Sequence, residues 1–160
     1  MKAKKAQAWG FDLIIATVIF LAGLIFFFVY VLNFPTEREE VFNSLVYEGE
    51  IIGDSLLSEG FPENWQINDV IAIGILSAGV VNDTKWKQFY DLTNSDYQKS
   101  QRLLNVENHY YVFFEEPIDV GEEIITGIGN APASENNLVK TTRVVIQDNK
   151  IKNLNIYVWN

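Results

Sequence analysis

The chain has no cysteine and a single histidine, His109. Without thiols there is no disulfide to brace an exported domain, no thiolate metal site and no cysteine nucleophile. One histidine cannot supply a metal-binding pair, and its place at the start of an apolar segment suggests no serine–histidine relay. Positive charge is also scarce, with 12 Lys+Arg against 21 Asp+Glu and a formal charge of −9. Residues 33–160 are more acidic still: nine bases against twenty acids give −11, which repels phosphate and argues against nucleic acid as a partner.

What the chain does have is one long uncharged run. Leu13 to Leu32, LIIATVIFLAGLIFFFVYVL, holds 20 residues. At about 1.5 Å per residue it spans about 30 Å, the thickness of a bilayer's hydrocarbon core, with every backbone polar group bonded inside the segment. Phe26, Phe27, Phe28, Val29 and Tyr30 cover every side of such a helix, whereas a helix packed in a soluble domain keeps a polar face. The expectation is a transmembrane helix solvated by membrane lipid. Lys2, Lys4 and Lys5 precede it without an acid, and Glu37, Glu39 and Glu40 follow with only Arg38, so the lysine bias keeps the N-terminus cytoplasmic. The expected organisation is a basic cytoplasmic leader at 1–12, a single transmembrane helix at 13–32 and an extracytoplasmic domain at 33–160. The run is longer than a secretory signal's, and Val31-Leu32-Asn33-Phe34 offers a signal peptidase no small residues, so the helix is expected to remain as an anchor.

The rest reads as an α+β head, with an antiparallel sheet and a second helix, held by packing among its aromatic residues. Pro35 interrupts the first helix, and Thr36 with Glu39 forms a capping box that opens a second one from Glu37 to about Ser58, stopped by Gly60. Val41, Leu45, Ile52 and Leu56 make its apolar face. Phe61 to Trp65 reads as a turn with Trp65 plugging the sheet edge, and Val70 to Leu76 as a buried strand. Asn82-Asp83-Thr84 and Thr93 to Asp96 open two short helices, the first carrying Trp86, Phe89 and Tyr90 and the second ending near Leu104. His109 to Phe114, HYYVFF, predicts a central strand covered on both faces. Leu138 to Ile146 and Ile151 to Trp159 flank Asp148-Asn149 as a hairpin, with Leu154, Ile156 and Val158 inward and Asn153, Asn155 and Tyr157 outward. Between these segments Gly121 to Asn137 reads as an exposed loop, because Gly127-Ile128-Gly129 lacks the further glycine or Lys-Ser/Thr that a phosphate loop needs.

No constellation points to catalysis, a cofactor or a metal, and no enzyme activity is expected. Glu115-Glu116 and Glu122-Glu123 are adjacent pairs, and neighbours on a strand point to opposite faces, so they read as solvated edge acids. No D-x-D-x-D-G calcium loop is present. Asn82-Asp83-Thr84 is the one N-x-S/T sequon, which makes Asn82 a candidate glycosylation site as well as a helix cap. Asp12, directly before the apolar run, is a candidate N-cap, and Trp9 an interfacial anchor.

The residues Lys5-Ala6-Gln7-Ala8, a few positions ahead of the apolar run, resemble the class III signal of archaeal type IV pilin-like proteins. The resemblance implies that a prepilin peptidase cuts between Ala6 and Gln7 on the cytoplasmic side and leaves the helix on the mature subunit. It also implies association with like subunits in a surface filament and a pilin-like head packed on a sheet. That family places an acid near the fifth mature position, where it pairs with a neighbour's amino terminus; here Phe11 holds that position and Asp12 follows, making Asp12 a candidate subunit charge partner as well. Ala8 to Asp12, Ser58 to Trp65 and Tyr157 to Trp159 are further similar to segments of uncharacterised archaeal membrane proteins. The expected function is therefore a pilin-like or minor pilin-like structural subunit at the cell surface. The alternative from another class is a receptor-like module, tethered by one helix, that holds a sugar or peptide in an aromatic-rich head.

Overall fold

The computed structural model describes every residue except 1–2, 34–36, 122 and 136, and at 3–8, 33, 37 and 38 only the backbone is described. The chain falls into two compact units, residues 1–40 and 41–160.

The first unit is dominated by α1, Ala3–Asn33. Within it Trp9–Leu32 is long and apolar enough to cross a membrane: 24 residues of mean hydropathy 2.8, none buried. Phe26 is 76 % exposed and Leu32 77 %, which water would penalise and lipid does not. Trp9 and Tyr30 stand 21 residues apart, about 31 Å along a helix, the spacing of aromatic belts at two interfaces. The N-cap expected at Asp12 is corrected: the helix starts at Ala3, so Asp12 is an exposed residue well inside it. Ala3 to Ala8 are strong helix formers, and propagation back from the apolar run adds a bond for each residue fixed.

The second unit takes in most of α2, Glu37–Leu56. The break at Pro35 and the capping threonine Thr36 lie outside the described residues. Leu45, Ile52 and Leu56 are fully buried, as their spacing predicts. Gly49 and Gly53, which weaken helix propensity, sit where the helix meets the sheet. A Cβ on Gly49 would lie 2.7 Å from Thr141 Oγ1, and one on Gly53 2.8 Å from Arg143 Nε. The helix ends at Leu56, short of Gly60, whose φ of +74° serves instead a turn crowded by the Trp65 indole and the Ala72 carbonyl.

Phe61 to Trp65 is a turn, but Trp65 is a core residue and no edge plug: it is 1 % exposed, and its Nε1 donates to the Gly74 carbonyl at 2.9 Å. The strand expected over Val70 to Leu76 is also corrected. Ile73 and Ile75 are fully buried, yet the segment bonds to the end of α2 through Ser55 Oγ to Ile73 O, Ile75 N to Leu56 O and Leu76 N to Ser58 O. With those amides taken, the segment is left with an isolated antiparallel bridge of Ala72 with Phe61, and the short β1 (Leu76–Ser77) pairs, antiparallel, with β2 (Val80–Val81).

Helices α3 (Asp83–Ser95) and α4 (Tyr97–Leu104) start where the capping residues place them, with Asn82 accepting from Lys85 N and Asp96 from Lys99 N. The strands β3 (His109–Phe114), β6 (Ile128–Gly129), β7 (Leu138–Gln147) and β8 (Lys150–Trp159) form an antiparallel sheet in the order β6-β3-β8-β7, while β4 (Ile118–Val120) and β5 (Glu123–Ile125) form a separate ribbon. Asp148 and Asn149, with φ of 50° and 58°, close the β7–β8 hairpin as a primed turn requires. Tyr110, Val112 and Phe114 pair with Val158, Ile156 and Leu154 on the inner face, all buried. Trp86 of α3 meets Phe114 edge-on at 4.9 Å, and Phe89 stacks on Tyr110 at 6.3 Å.

Three sheet expectations change. The outer face of β3 is left half-open, with Tyr111 and Phe113 partly exposed and stacked at 5.5 Å. Asn155 is on that outer face but only 1 % exposed, its Oδ1 accepting from Thr142 Oγ1 at 3.0 Å. The loop expected over Gly121 to Asn137 contributes both β5 and β6. Gly129 runs at φ +104° against the Tyr110 carbonyl and Gly127 lies on the Tyr111 ring, so the glycines permit an edge strand that any side chain would push off.

Candidate functional site

Most polar groups carried inside the head hold it together, while Trp86 Nε1, Gln147 Oε1 and Asn155 Nδ2 are buried without a hydrogen-bond partner among the described residues. Glu48 lies on the apolar stripe of α2 and is 7 % exposed; its carboxylate accepts from the backbone N–H of Glu107 and Asn108 and from Asn108 Nδ2. Lys85, 4 % exposed, donates through Nζ to the carbonyls of Glu59 and Leu76 at 2.8 and 2.7 Å, pinning α3 to the chain that follows α2. Tyr110 shares hydrogen bonds with Ser100 at 2.5 Å and Thr93 at 3.3 Å, and its backbone N–H donates to the Tyr97 hydroxyl. Burial pushes the Tyr110 phenol up to about 12, against the pull of those two hydroxyls, and burial also raises Tyr97. A phenol so hard to ionise is a poor general base at neutral pH.

The residues singled out by the sequence are scattered. Ala6 and Gln7 lie on the α1 backbone, their side chains outside the described residues, and Asp12 is on the same helix. Asn82 has both ends of its amide occupied, Oδ1 by Lys85 N at 3.1 Å and Nδ2 by Ser77 Oγ at 3.2 Å. The oxygen makes the helix cap, and the nitrogen that a glycan would use is engaged with the Ser77 hydroxyl. His109 is exposed at the start of β3, 3.4 Å from Asn130 Nδ2 and stacked on Tyr97. Glu115 and Glu116 are solvated beside β8, where Glu116 reaches Lys152 at 3.9 Å; Glu123 pairs with Lys87 at 3.1 Å, and Glu122 lies outside the described residues.

Among the described residues no group of His, Asp and Glu side chains gathers closely enough to hold a metal ion. Shallow grooves mark the head among the described residues, three of them of note. One of about 260 Å³ is lined by Glu115, Glu116, Lys150 and Lys152. A larger one of about 520 Å³ runs between α2 and the end of α4, past Tyr47, Glu48, Arg102 and Glu107. The third, about 320 Å³, is apolar and is formed by Leu57, Leu76, Val144, Ile146 and Ile151.

The sequence reading missed the buried Glu48 and Lys85. Glu48 had a visible signal, an acid three residues after Leu45 and four before Ile52 on the same helical stripe. Lys85 had none, since its carbonyl partners lie 26 and 9 residues away.

What these features define is an α+β protein with one N-terminal helix suited to a membrane, and with a head most of whose internal polar groups serve its packing. Comparison with protein-family models, with curated proteins and with solved structures returns no match.

Proposed function

We propose that this chain is a membrane-anchored, pilin-like or minor pilin-like structural subunit of a cell-surface filament or its base. In this reading the N-terminus is cytoplasmic, the span holds the subunit in the membrane and the head is displayed outside. The observation that carries it is α1 itself, one unbroken helix that runs from the Lys5-Ala6-Gln7 leader through a span exposed on all sides. A span exposed on all sides is what a subunit keeps for lipid and for the helices of neighbouring copies. Asp12, an acid near one end of that span, is then a charge partner for a basic group of a neighbour, since carboxylates at membrane depth persist where they are paired. Mass spectrometry of the chain produced with an archaeal prepilin peptidase tests the reading: the mature N-terminus is expected at Gln7, and a chain that keeps Met1 contradicts it.

The tethered binding module keeps one supporting observation, the half-open row of Tyr111, Phe113 and Tyr157 on the outer sheet face, with Phe113 edge-on to Tyr157 at 5.0 Å. A soluble oligosaccharide that shifts the chain's tryptophan or tyrosine fluorescence would favour this second reading.

A further inference from the structure

The head divides its charge sharply. Residues 138–160, the β7–β8 hairpin and its tail, carry four Lys+Arg and one Asp; the other 105 residues of the head carry five bases and nineteen acids. Apolar exposure coincides with that division. On the basic hairpin Val144 is 64 % exposed, Ile146 46 % and Ile151 77 %, and Ile146 and Ile151 face each other across the ladder beside the apolar groove. Lys150 is exposed next to Ile151 and makes no ion pair among the described residues. On the acidic side the outward face of α2 shows Phe42 at 55 % and Tyr47 at 65 %, with exposed Glu50 along the same helix; Asp54, one turn on, is already paired with Arg143 of its own chain.

We infer that the β7–β8 hairpin of one copy docks on α2 of the next, Ile146 and Ile151 against Phe42 and Tyr47, with Lys150 toward Glu50. The two surfaces match in both polarity and charge. Within one chain α2 and β7 meet elsewhere, Gly49 facing Thr141 and Asp54 pairing with Arg143 at 3.1 Å, and Ile146 at the hairpin tip lies five residues further along β7 from Thr141, about 17 Å away. The contact is therefore heterologous, head to tail, and repeats into an open row. An anionic lipid surface offers charge for the hairpin too, but it would repel the acidic remainder of the same head, and anchoring in one membrane raises the concentration of copies for each other. This inference rests on the assembling-subunit reading and names the surfaces through which the heads assemble.

The absence of native cysteine gives a clean test. Full-length chain bearing Ile151→Cys and Tyr47→Cys is reconstituted in phosphatidylcholine vesicles and treated with a mild oxidant. The expected result is a ladder of cross-linked dimers, trimers and higher species, reduced at least tenfold by Lys150→Glu and restored when Glu50→Lys is added. Dimers from Ile151→Cys alone, or a ladder from Ile151→Cys with Ile71→Cys, would overturn it by placing the hairpin elsewhere. So would loss of the ladder on adding anionic phosphatidylserine. If an amine-reactive linker joins copies while the cysteine pair does not, the interface is wrong and assembly stands; if neither reagent joins them, both fail.

Discussion

Glu48 holds Asn108 twice, its Oε2 accepting the backbone N–H at 3.1 Å and its Oε1 the side-chain Nδ2 at 2.9 Å. The pair ties the middle of α2 to the chain entering β3, sixty residues on, and a third bond from Glu107 N completes it. Glu48→Ala removes the acceptor and leaves those donors without their partner. The expected loss is about 1–2 kcal/mol, because these part-buried donors lose bonds to a charged acceptor while the groove beside them lets water in. Thermal unfolding of the full chain in detergent, followed by near-ultraviolet circular dichroism, reads it. Glu48→Gln keeps one carbonyl acceptor and loses less.

Gly49 separates helix propensity from packing. Alanine is favoured over glycine in a helix by roughly 1 kcal/mol, so an exposed site would gain stability. Here the new methyl meets Thr141 Oγ1 at 2.7 Å, and overpacking of this kind costs about 1–3 kcal/mol. Gly49→Ala is expected to lower the unfolding temperature. Adding Thr141→Ala, which removes the colliding oxygen, is expected to return most of the loss; additive losses in the double variant would contradict the close approach.

The alkaline behaviour of the head follows from Tyr110. Its phenol is pushed up to about 12 in the fold, while an unfolded tyrosine ionises near 10. Between those values the folded state keeps a proton that the unfolded chain has lost. Its contribution is therefore complete below about pH 10 and declines as pH rises toward 12, by about 2–3 kcal/mol in all. Denaturant midpoints measured from pH 9 to 12 should fall for the native chain and fall less steeply for Tyr110→Phe. Parallel curves would show that this hydroxyl is not the titrating group.

Much of the fold was legible because local chemistry and tertiary packing agree there. Asn82 and Asp96 cap helices wherever they stand before a helical segment, and Asp148-Asn149 accept positive φ at low cost, so α3, α4 and the β7–β8 hairpin follow from short-range rules. The apolar stripe of α2 is likewise readable, and so is the span in α1. The failures occur where a distant partner decides. Val70 to Leu76 has the composition of a strand, but Leu56 and Ser58 take its amides. Gly127 and Gly129 look like loop residues until Tyr110 and Tyr111 are placed beside them. Asp12 looks like a cap only while the helix is taken to begin with its apolar run. No compact functional site was legible, because the residues that carry interest stand on separate elements and each acts through its own surface.

The central claim is that lipid solvates the segment from Trp9 to Leu32. Alkaline carbonate extraction of membranes from cells making the full-length chain tests it most directly, since high pH strips proteins held by surface charge and leaves a spanning helix in place. The chain is predicted to stay with the sedimented membranes; its release into the supernatant would contradict the account.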